Sequence, residues 1–268
     1  MPQLTESQAQ ESAAIASISN QGLNVANCLK PPYRAPHHIA SASALVGGGS
    51  NPKPGEISLA HNGTLFLDEL PEFDRKVLEV LREPLETGHI TISRAAGQVD
   101  LPARFQLVAA MNPCPCGYLG DNSRRCHCTS EQVMRYRARV SGPLLDRIDM
   151  HLEVPRISHE VLRKGSPQGE ESSASIRARV VAAHNRALVR SGKSNSALTG
   201  KEAKQHCHLT EQGYQILKQA MNKPGLSHRA YHRILKLSRT IADLAESGNI
   251  EVNHLREAIG YRKLGKRS

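Results

Sequence analysis

Thr64-Leu65-Phe66-Leu67-Asp68-Glu69 is the stretch that decides the fold, because a short apolar run ends there in two carboxylates. Such a run, bounded by turn residues, is typical of a strand buried in a parallel sheet. Ligands bind outside the carboxyl ends of the strands in these sheets, so the two acids are placed for chemistry. The alternative interpretation is a strand followed by an ordinary acidic helix cap.

The segments on either side of this strand alternate between helical and extended patterns. Helices are predicted over residues 4–18 and 74–86, strands over 64–67, 105–110 and 151–154, and a β-hairpin over 90–101. Residues 31–62 are rich in Gly, Pro, His and Ser, which predicts a long loop with a short helix near Ala40–Leu45. Alternating strands and helices favour a parallel α/β sheet with helices on both faces.

The pattern changes after Pro155. Residues 164–175 (KGSPQGEESSAS) are polar and predict a solvated linker. Helical periodicity follows over residues 176–190, 210–221, 227–245 and 252–262. These changes in composition and periodicity along the chain predict a partial α/β core over 1–157, a linker over 158–175 and a helical domain over 176–268.

Composition indicates a polyanionic partner. The 268 residues carry a formal net charge of +10, and a basic surface attracts phosphates. A basic surface without a nucleic-acid role is the alternative. Residues 1–19 do not resemble a signal peptide, and no apolar run approaches the roughly 20 residues of a membrane span, so a cytoplasmic location without membrane contact is expected.

The two carboxylates have the arrangement of a Walker B motif. Asp68 is expected to hold Mg²⁺, directly or through water, and Glu69 to orient and activate the attacking water. Asn112 follows the next predicted strand, where its amide could bind the water or the γ-phosphate. Asn112-Pro113 is otherwise simply a turn.

Two arginines are further candidates. Arg147 stands between Asp146 and Asp149, and a guanidinium there could neutralise transition-state charge as an arginine finger. Arg229 lies in the predicted first turn of a long helix capped by Ser227, where it could contact phosphate. A surface salt bridge and a solvent-facing side chain are the respective alternatives.

Six cysteines include two closely spaced pairs. Cys114-x-Cys116 and Cys126-x-Cys128 supply four thiols, and four thiolates can close a tetrahedral zinc site. The C-x-C spacing is tighter than the common C-x₂-C spacing, and His127 could replace one ligand. Four reduced thiols in a loop without a metal are the alternative.

These candidates, in this order, resemble the magnesium-chelatase-like AAA+ ATPases, and among them a bacterial competence branch. The resemblance covers nearly the whole chain. It rests on the stretches 33–38 (YRAPHH), 44–49 (ALVGGG), 54–63 (PGEISLAHNG), 70–73 (LPEF) and 109–117 (AAMNPCPCG).

The resemblance implies a P-loop NTPase-type sheet with a C-terminal helical lid, using ATP and Mg²⁺. It implies Asp68 and Glu69 as the Walker B pair, Asn112 as sensor 1, Arg147 as arginine finger and Arg229 as sensor 2. It also implies a hexameric DNA motor that promotes branch migration in natural transformation. The 31–62 loop and the 90–101 hairpin would then face the channel, with sequence-independent DNA contacts through Lys53, Arg94, His37 and His38.

The sequence departs from the family at the phosphate-binding loop. Gly192-Lys193-Ser194 is the only Gly-Lys-Ser, but Ala187 stands where the required glycine belongs, and the stretch follows the acids instead of preceding them. The chain by itself is therefore expected not to hydrolyse ATP. A chelatase-type ATPase subunit for metal insertion into porphyrin, and a non-catalytic fragment that keeps only assembly and DNA-binding surfaces, are the competing functions.

Overall fold

The computed structural model of the chain describes residues 1–19, 27–49, 52–94, 97–120, 125–155, 171–222 and 228–262. These residues form two compact units, one over Gln3–Arg147 and one that begins at Ile148 and includes the first two residues. Most of the predicted 158–175 linker lies outside the described residues, although a helix already begins at Ser173. The predicted three-part division stays a prediction.

The first unit is built from short strands and short helices. Its strands are β1 (Tyr33–Arg34), β2 (Gly47–Gly48), β3 (Lys53–Pro54), β4 (Thr64–Leu67), β5 (His89–Arg94), β6 (Gly97–Pro102) and β7 (Gln106–Ala109). Its helices are α1 (Glu6–Ser17), α2 (Ala42–Val46), α3 (Glu56–Leu59), α4 (Arg75–Glu79), α5 (Pro84–Thr87), α6 (Ser130–Arg137) and α7 (Gly142–Leu145).

A parallel sheet with the order β1-β4-β7 forms the centre of this unit. Thr64 of β4 pairs with Tyr33 on one side and Gln106 on the other, so the three strands run together and end at one edge. Leu65 and Leu67 of β4 are fully buried. The predicted parallel α/β sheet and the strand over 64–67 are confirmed.

Local sequence explains where the helices begin and break. Thr5 and Gln8 form a capping box at the start of α1, as two reciprocal side-chain to backbone hydrogen bonds. The single helix predicted over 74–86 is wrong, because α4 ends at Glu79, a 3₁₀ turn follows, and α5 begins at Pro84. Proline has no N–H to continue the preceding helix, so it starts a new one.

Two antiparallel pairs flank the sheet. β5 and β6 form the predicted hairpin, with register from His89 opposite Pro102 to Arg94 opposite Gly97. Its tip, residues 95–96, lies outside the described residues. β2 and β3 pair at Gly47 and Pro54, and a Cβ on Gly47 would lie 2.1 Å from the Lys53 carbonyl oxygen. Only glycine fits this close approach, where φ is 97°.

The second unit is helical. Its helices are α8 (Ser173–Ser191), α9 (Gly200–His206), α10 (Glu211–Met221), α11 (His228–Leu244) and α12 (Val252–Gly260). Four of these match predicted helices, and α9 was not predicted. The buried core of the unit includes Leu198, Ala203, Leu217, Ala230, Ile234 and Leu255. Within the described part of the chain, no helix has the length and apolar character needed to cross a membrane.

The strand predicted over 151–154 is wrong. A strand requires a neighbour that supplies hydrogen bonds, and the His151 N–H instead donates to the Tyr261 carbonyl at 2.7 Å. Leu152 and Val154 are 60% and 87% exposed, so this apolar pattern is not buried within the described residues.

A buried ionic network joins α8 to α11. Arg190 donates to both carboxylate oxygens of Asp243, at 2.7 and 2.6 Å, and Arg239 lies 3.1 Å from the same carboxylate. Asn195 donates to Asp243 at 2.8 Å. Asp243 and Arg239 are each only 3% exposed, so their charges are neutralised within the unit.

Gly192-Lys193-Ser194 directly follows the end of α8 and does not follow a strand, which agrees with its interpretation as something other than a phosphate-binding loop. Gly192 has a φ of 71° and is the C-cap of α8, which is a common glycine position. Lys193 binds Glu202 at 2.8 Å. Lys193, followed by hydrogen bonds from Thr199, lowers the pKa of Glu202 to about 2.

Candidate functional site

The candidate site lies at the carboxyl ends of the parallel strands. Asp68 and Glu69 directly follow β4, and both side chains are exposed. The Ala110 N–H donates to the Leu67 carbonyl, and the Leu70 N–H donates to the Ala110 carbonyl, each at 2.9 Å. These two bonds, before and after the acids, fix the backbone of the pair against the end of β7.

Glu69 has an uncommon backbone conformation. Its φ of 51° and ψ of 45° lie in the left-handed region, which is rare for a residue other than glycine. Its N–H donates to Asp68 Oδ1 at 2.9 Å, and its carbonyl accepts from the Glu72 N–H at 2.7 Å. Such residues cluster at functional sites, where the surrounding structure holds the strained conformation.

His38 contacts the Glu69 carboxylate. The two side chains meet with His38 Nδ1 3.0 Å from Glu69 Oε2. The His38 ring lies edge-on to the buried Phe73, with 6.4 Å between ring centroids. Sequence reasoning assigned His38 to DNA and missed this contact, although His38 follows β1 and β1 is the parallel neighbour of β4.

Asn112 follows β7 at the same edge, and its side chain is exposed. Tyr136 of α6 contacts the Asn112 backbone. Burial, followed by the negative charge of Glu72, raises the pKa of the Tyr136 hydroxyl, while a backbone hydrogen bond from Asn112 lowers it. Asp68, Glu69 and Asn112 all come after the carboxyl ends of the paired strands β4 and β7, and their assignment to one catalytic site stays a prediction.

Arg147 is held inside the first unit. Its side chain is 7% exposed and forms an ion pair with Glu86 of α5. Its Nη1 donates to the Pro143 carbonyl at 2.8 Å. In this arrangement the guanidinium is directed at its own unit.

Arg229 belongs to the second unit, in the first turn of α11, and is exposed. Its predicted cap, Ser227, lies outside the described residues. Lys53 and His37, two of the predicted DNA contacts, are also exposed, while the side chain of Arg94 lies outside the described residues.

The four paired cysteines converge. Their sulfur atoms all lie within 4.8 Å of one another. Cys114 Sγ is 3.4 Å from Cys116 Sγ and 3.8 Å from Cys126 Sγ, and the latter two are 3.7 Å apart. Sulfurs around tetrahedral zinc lie about 3.8 Å apart, given a Zn–S distance of about 2.3 Å. The donor set and its spacing therefore fit zinc.

The environment of Cys116 favours the ligand form. A backbone hydrogen bond from Tyr118, followed by the Cys114 thiol, lowers the pKa of Cys116 to about 6, while burial and the neighbouring thiols raise the pKa of Cys126 and of Cys128. The thiolate is the form that binds metal.

Comparison with known families accounts for nearly all of the chain. The family described as "Magnesium chelatase, subunit ChlI" matches residues 1–162, and "Magnesium chelatase, subunit ChlI C-terminal" matches residues 170–262. The chain belongs to the magnesium-chelatase-like AAA+ family. The parallel sheet and the helical unit that follows it have the order expected of this family.

Individual relatives extend this assignment. The chain is 51% identical to "Competence protein ComM" of Haemophilus influenzae over 98% of its own length and 51% of the relative's. It is 47% identical to "Uncharacterized protein YifB" of Salmonella typhimurium over 99% of its length and 52% of the relative's. A weaker match, 31% identity to "DNA replication licensing factor mcm-6" of Caenorhabditis briggsae, covers 36% of the chain and 11% of the relative. The chain spans about half the length of the first two relatives.

Membership of this AAA+ family implies ATP and Mg²⁺ as ligands. Asp68 and Glu69 fit a site for Mg²⁺, because hard cations bind carboxylate oxygens and both acids are exposed at the carboxyl end of β4. The described residues contain no glycine-rich loop between a strand and a helix that would hold the phosphates.

Proposed function

We propose that this chain is part of an ATP-driven DNA motor of the ComM type. The observation that carries the proposal is the placement of Asp68, Glu69 and Asn112 at adjacent ends of two parallel strands. Phosphoryl transfer in P-loop ATPases depends on positioning and electrostatics, and these residues supply the metal-binding and water-orienting part of that machinery.

Each residue has a defined role in this proposal. Asp68 holds Mg²⁺, Glu69 accepts a proton from the attacking water, and Asn112 orients that water or the γ-phosphate. Arg229 contacts phosphate from the helical unit. Arg147 acts on the nucleotide of a neighbouring subunit, for which its guanidinium must leave Glu86.

Glu69→Gln in the full-length protein that contains this chain tests the catalytic assignment. The amide is nearly isosteric but cannot take the proton, so nucleotide binding should persist while turnover falls by about 10² or more. Glu72→Gln is the matched control, because Glu72 lies three residues away and pairs with Arg139 instead. Equal turnover in wild type and Glu69→Gln would remove Glu69 from its role.

DNA is the proposed partner, bound by a homo-oligomer that forms a hexameric ring. The net charge of +10 and the exposed Lys53 and His37 support contacts to phosphate. Binding to two unrelated duplexes should be equally tight and should weaken steeply with salt. The competence relative supports this function over a chelatase subunit, because the match to "Magnesium-chelatase subunit ChlI" of Trieres chinensis is 28% over only 45% of the chain.

Zinc is the proposed structural cofactor. Cys114, Cys116, Cys126 and Cys128 would hold it as four thiolates, which closes the coordination sphere and leaves no open position for chemistry. A closed site of this kind orders the loop that follows Asn112, since closing a chain on a metal offsets its conformational entropy.

A further inference from the structure

We infer that the four-cysteine cluster is a positioning element for Asn112, so that a metal bound there controls ATP turnover; this deepens the proposed function and rests on it. The cysteines lie on the segment that joins the end of β7 to the start of α6. Cys114 comes two residues after Asn112, and Cys128 directly precedes Thr129, the N-cap of α6. Because the four sulfur atoms lie within 4.8 Å of one another, one ion would tie both ends of this segment together.

The Asn112 side chain lies beside a turn of the cysteine segment. The Gly117 N–H donates to the Cys114 carbonyl at 3.0 Å and closes that turn, and Cys114 is fully buried. A Cβ on Gly117 would lie 3.8 Å from Cγ and Oδ1 of Asn112, which is ordinary van der Waals contact. The turn held by the cluster therefore forms one wall of the space in which the Asn112 amide sits.

Helix α6 holds the backbone on the other side of Asn112. Arg137 Nε donates to the Pro113 carbonyl at 3.2 Å, and Tyr136, which is 6% exposed, contacts the Asn112 backbone. The start of α6 is fixed by a capping box at Thr129. Because this cap directly follows the last cysteine, the cluster anchors α6 as well as the turn.

The two acids do not depend on the cysteine segment. The bonds from Ala110 to Leu67 and from Leu70 to Ala110 fix the backbone around the acids against the end of β7. Loss of the metal gives the cysteine segment conformational freedom, since nothing else closes the four thiols on one another. It should therefore displace the Asn112 amide and leave the Mg²⁺ ligand in place. A displaced group that orients the attacking water lowers kcat more than it changes nucleotide binding.

Removal of zinc tests the coupling. The full-length protein is stripped with a chelator, the chelator is removed, and ATP hydrolysis is measured before and after zinc is added back. Stripping should lower kcat about tenfold with KM for ATP changed less than about twofold, and added zinc should restore kcat. A metal-free protein that turns over ATP at the wild-type rate overturns the inference.

Arginine variants test the contact from α6 while the cysteines stay intact. Arg137→Met removes the donor to Pro113 and should lower kcat several-fold, whereas Arg137→Lys keeps a donor and should recover part of it. Arg135→Met is the matched control, because Arg135 lies on the same helix, is 76% exposed and pairs with Glu131 of that helix. Zinc content should equal that of wild type in all three variants. An equal kcat in Arg137→Met and Arg135→Met overturns the role of α6.

Hydrogen exchange reports the positioning without turnover. On zinc removal from the full-length protein, amide protection should fall in residues 107–112 and in α6, and it should stay unchanged in the β5–β6 hairpin. Equal protection with and without zinc overturns the inference. A wild-type protein that shows this zinc-dependent protection but hydrolyses no ATP would support the coupling and refute the proposed function.

Discussion

Asp243→Asn is expected to destabilise the second unit without forming a cavity, because asparagine keeps the volume of Asp243. The negative charge between Arg190 and Arg239 is lost, and both arginines lie within 3.1 Å of the carboxylate. The asparagine NH₂ group also cannot accept the hydrogen bonds that one carboxylate oxygen takes from its neighbours. Two guanidinium groups would then lie together with no counter-charge, and Arg239 is 3% exposed.

The magnitude follows from burial. Removing one partner of a buried ion pair costs about 3–5 kcal/mol, and the value should be near the lower end because Arg190 is 24% exposed. At about 4–8 °C per kcal/mol for a unit of roughly 100 residues, a loss of about 3 kcal/mol lowers Tm by about 12–24 °C. Glu246→Gln is the matched control. Glu246 pairs with Arg186 of α8 but is 70% exposed, so its loss should cost about 0–1 kcal/mol.

Hydrogen exchange of the α8 and α11 amides is the suitable assay, because it reports on the second unit separately from the first. Protection should fall much further in Asp243→Asn than in Glu246→Gln, and equal losses of protection would refute the reasoning.

The stabilisation by Asp243 should also depend on pH. Burial raises the pKa of Asp243, but hydrogen bonds from Arg190 and Asn195 outweigh it, so the pKa is below its usual value. A lowered folded-state pKa means that this stabilisation is present above the unfolded-state pKa of about 3.9 and is lost as pH falls through the folded-state value.

Three further predictions concern the proposed function. Protein purified without chelator should contain about one equivalent of zinc, and Cys126→Ser should lose it, whereas Cys207→Ser should not; four titratable thiols in a folded, metal-free protein would contradict the site. Arg147→Ala should abolish ATP hydrolysis in the full-length protein. If the arginine acts across subunits, mixing the Arg147→Ala and Glu69→Gln proteins should restore part of the hydrolysis. A loss of folding stability without restored hydrolysis would assign Arg147 to its ion pair with Glu86. Arg229→Ala should weaken turnover while leaving the helical unit as stable as wild type, because Arg229 is exposed; thermal unfolding and steady-state hydrolysis measure the two effects.

Two of the three strands of the sheet, β4 and β7, could be predicted because they carry their own signal, whereas β1 lies within the stretch 31–62 that was predicted as a loop. β4 is a four-residue apolar run between turn residues, and its observed bounds are the predicted ones. The 151–154 stretch has a similar apolar pattern, yet it is not a strand, because pairing depends on a neighbour that the local pattern does not specify. The break of the 74–86 helix at Pro84 was visible in the sequence as a proline inside a helical pattern.

The candidate site, like the fold, could be predicted from the sequence only in part. The placement of Asp68, Glu69 and Asn112 at one edge could be predicted because they come within three residues of the ends of two parallel strands. The burial of Arg147 could not, because its partner Glu86 is 61 residues away and nothing in either local sequence pairs them. His38 was predicted only as a DNA contact in the 31–62 loop, because a histidine pair in a glycine-rich loop gives no indication of which acid it contacts.

The order of the three parallel strands explains why these residues come to one edge of the sheet. Neighbouring strands lie about 4.8 Å apart, so the ends of β1 and β7 are about 10 Å apart with β4 between them. His38 follows β1, the two acids follow β4, and Asn112 comes three residues after β7. In the proposed function, Asn112 orients a water bound at Glu69 from the neighbouring strand. The order of the strands sets which residues can meet at this edge, because only the segments that follow neighbouring strands lie within side-chain reach of one another.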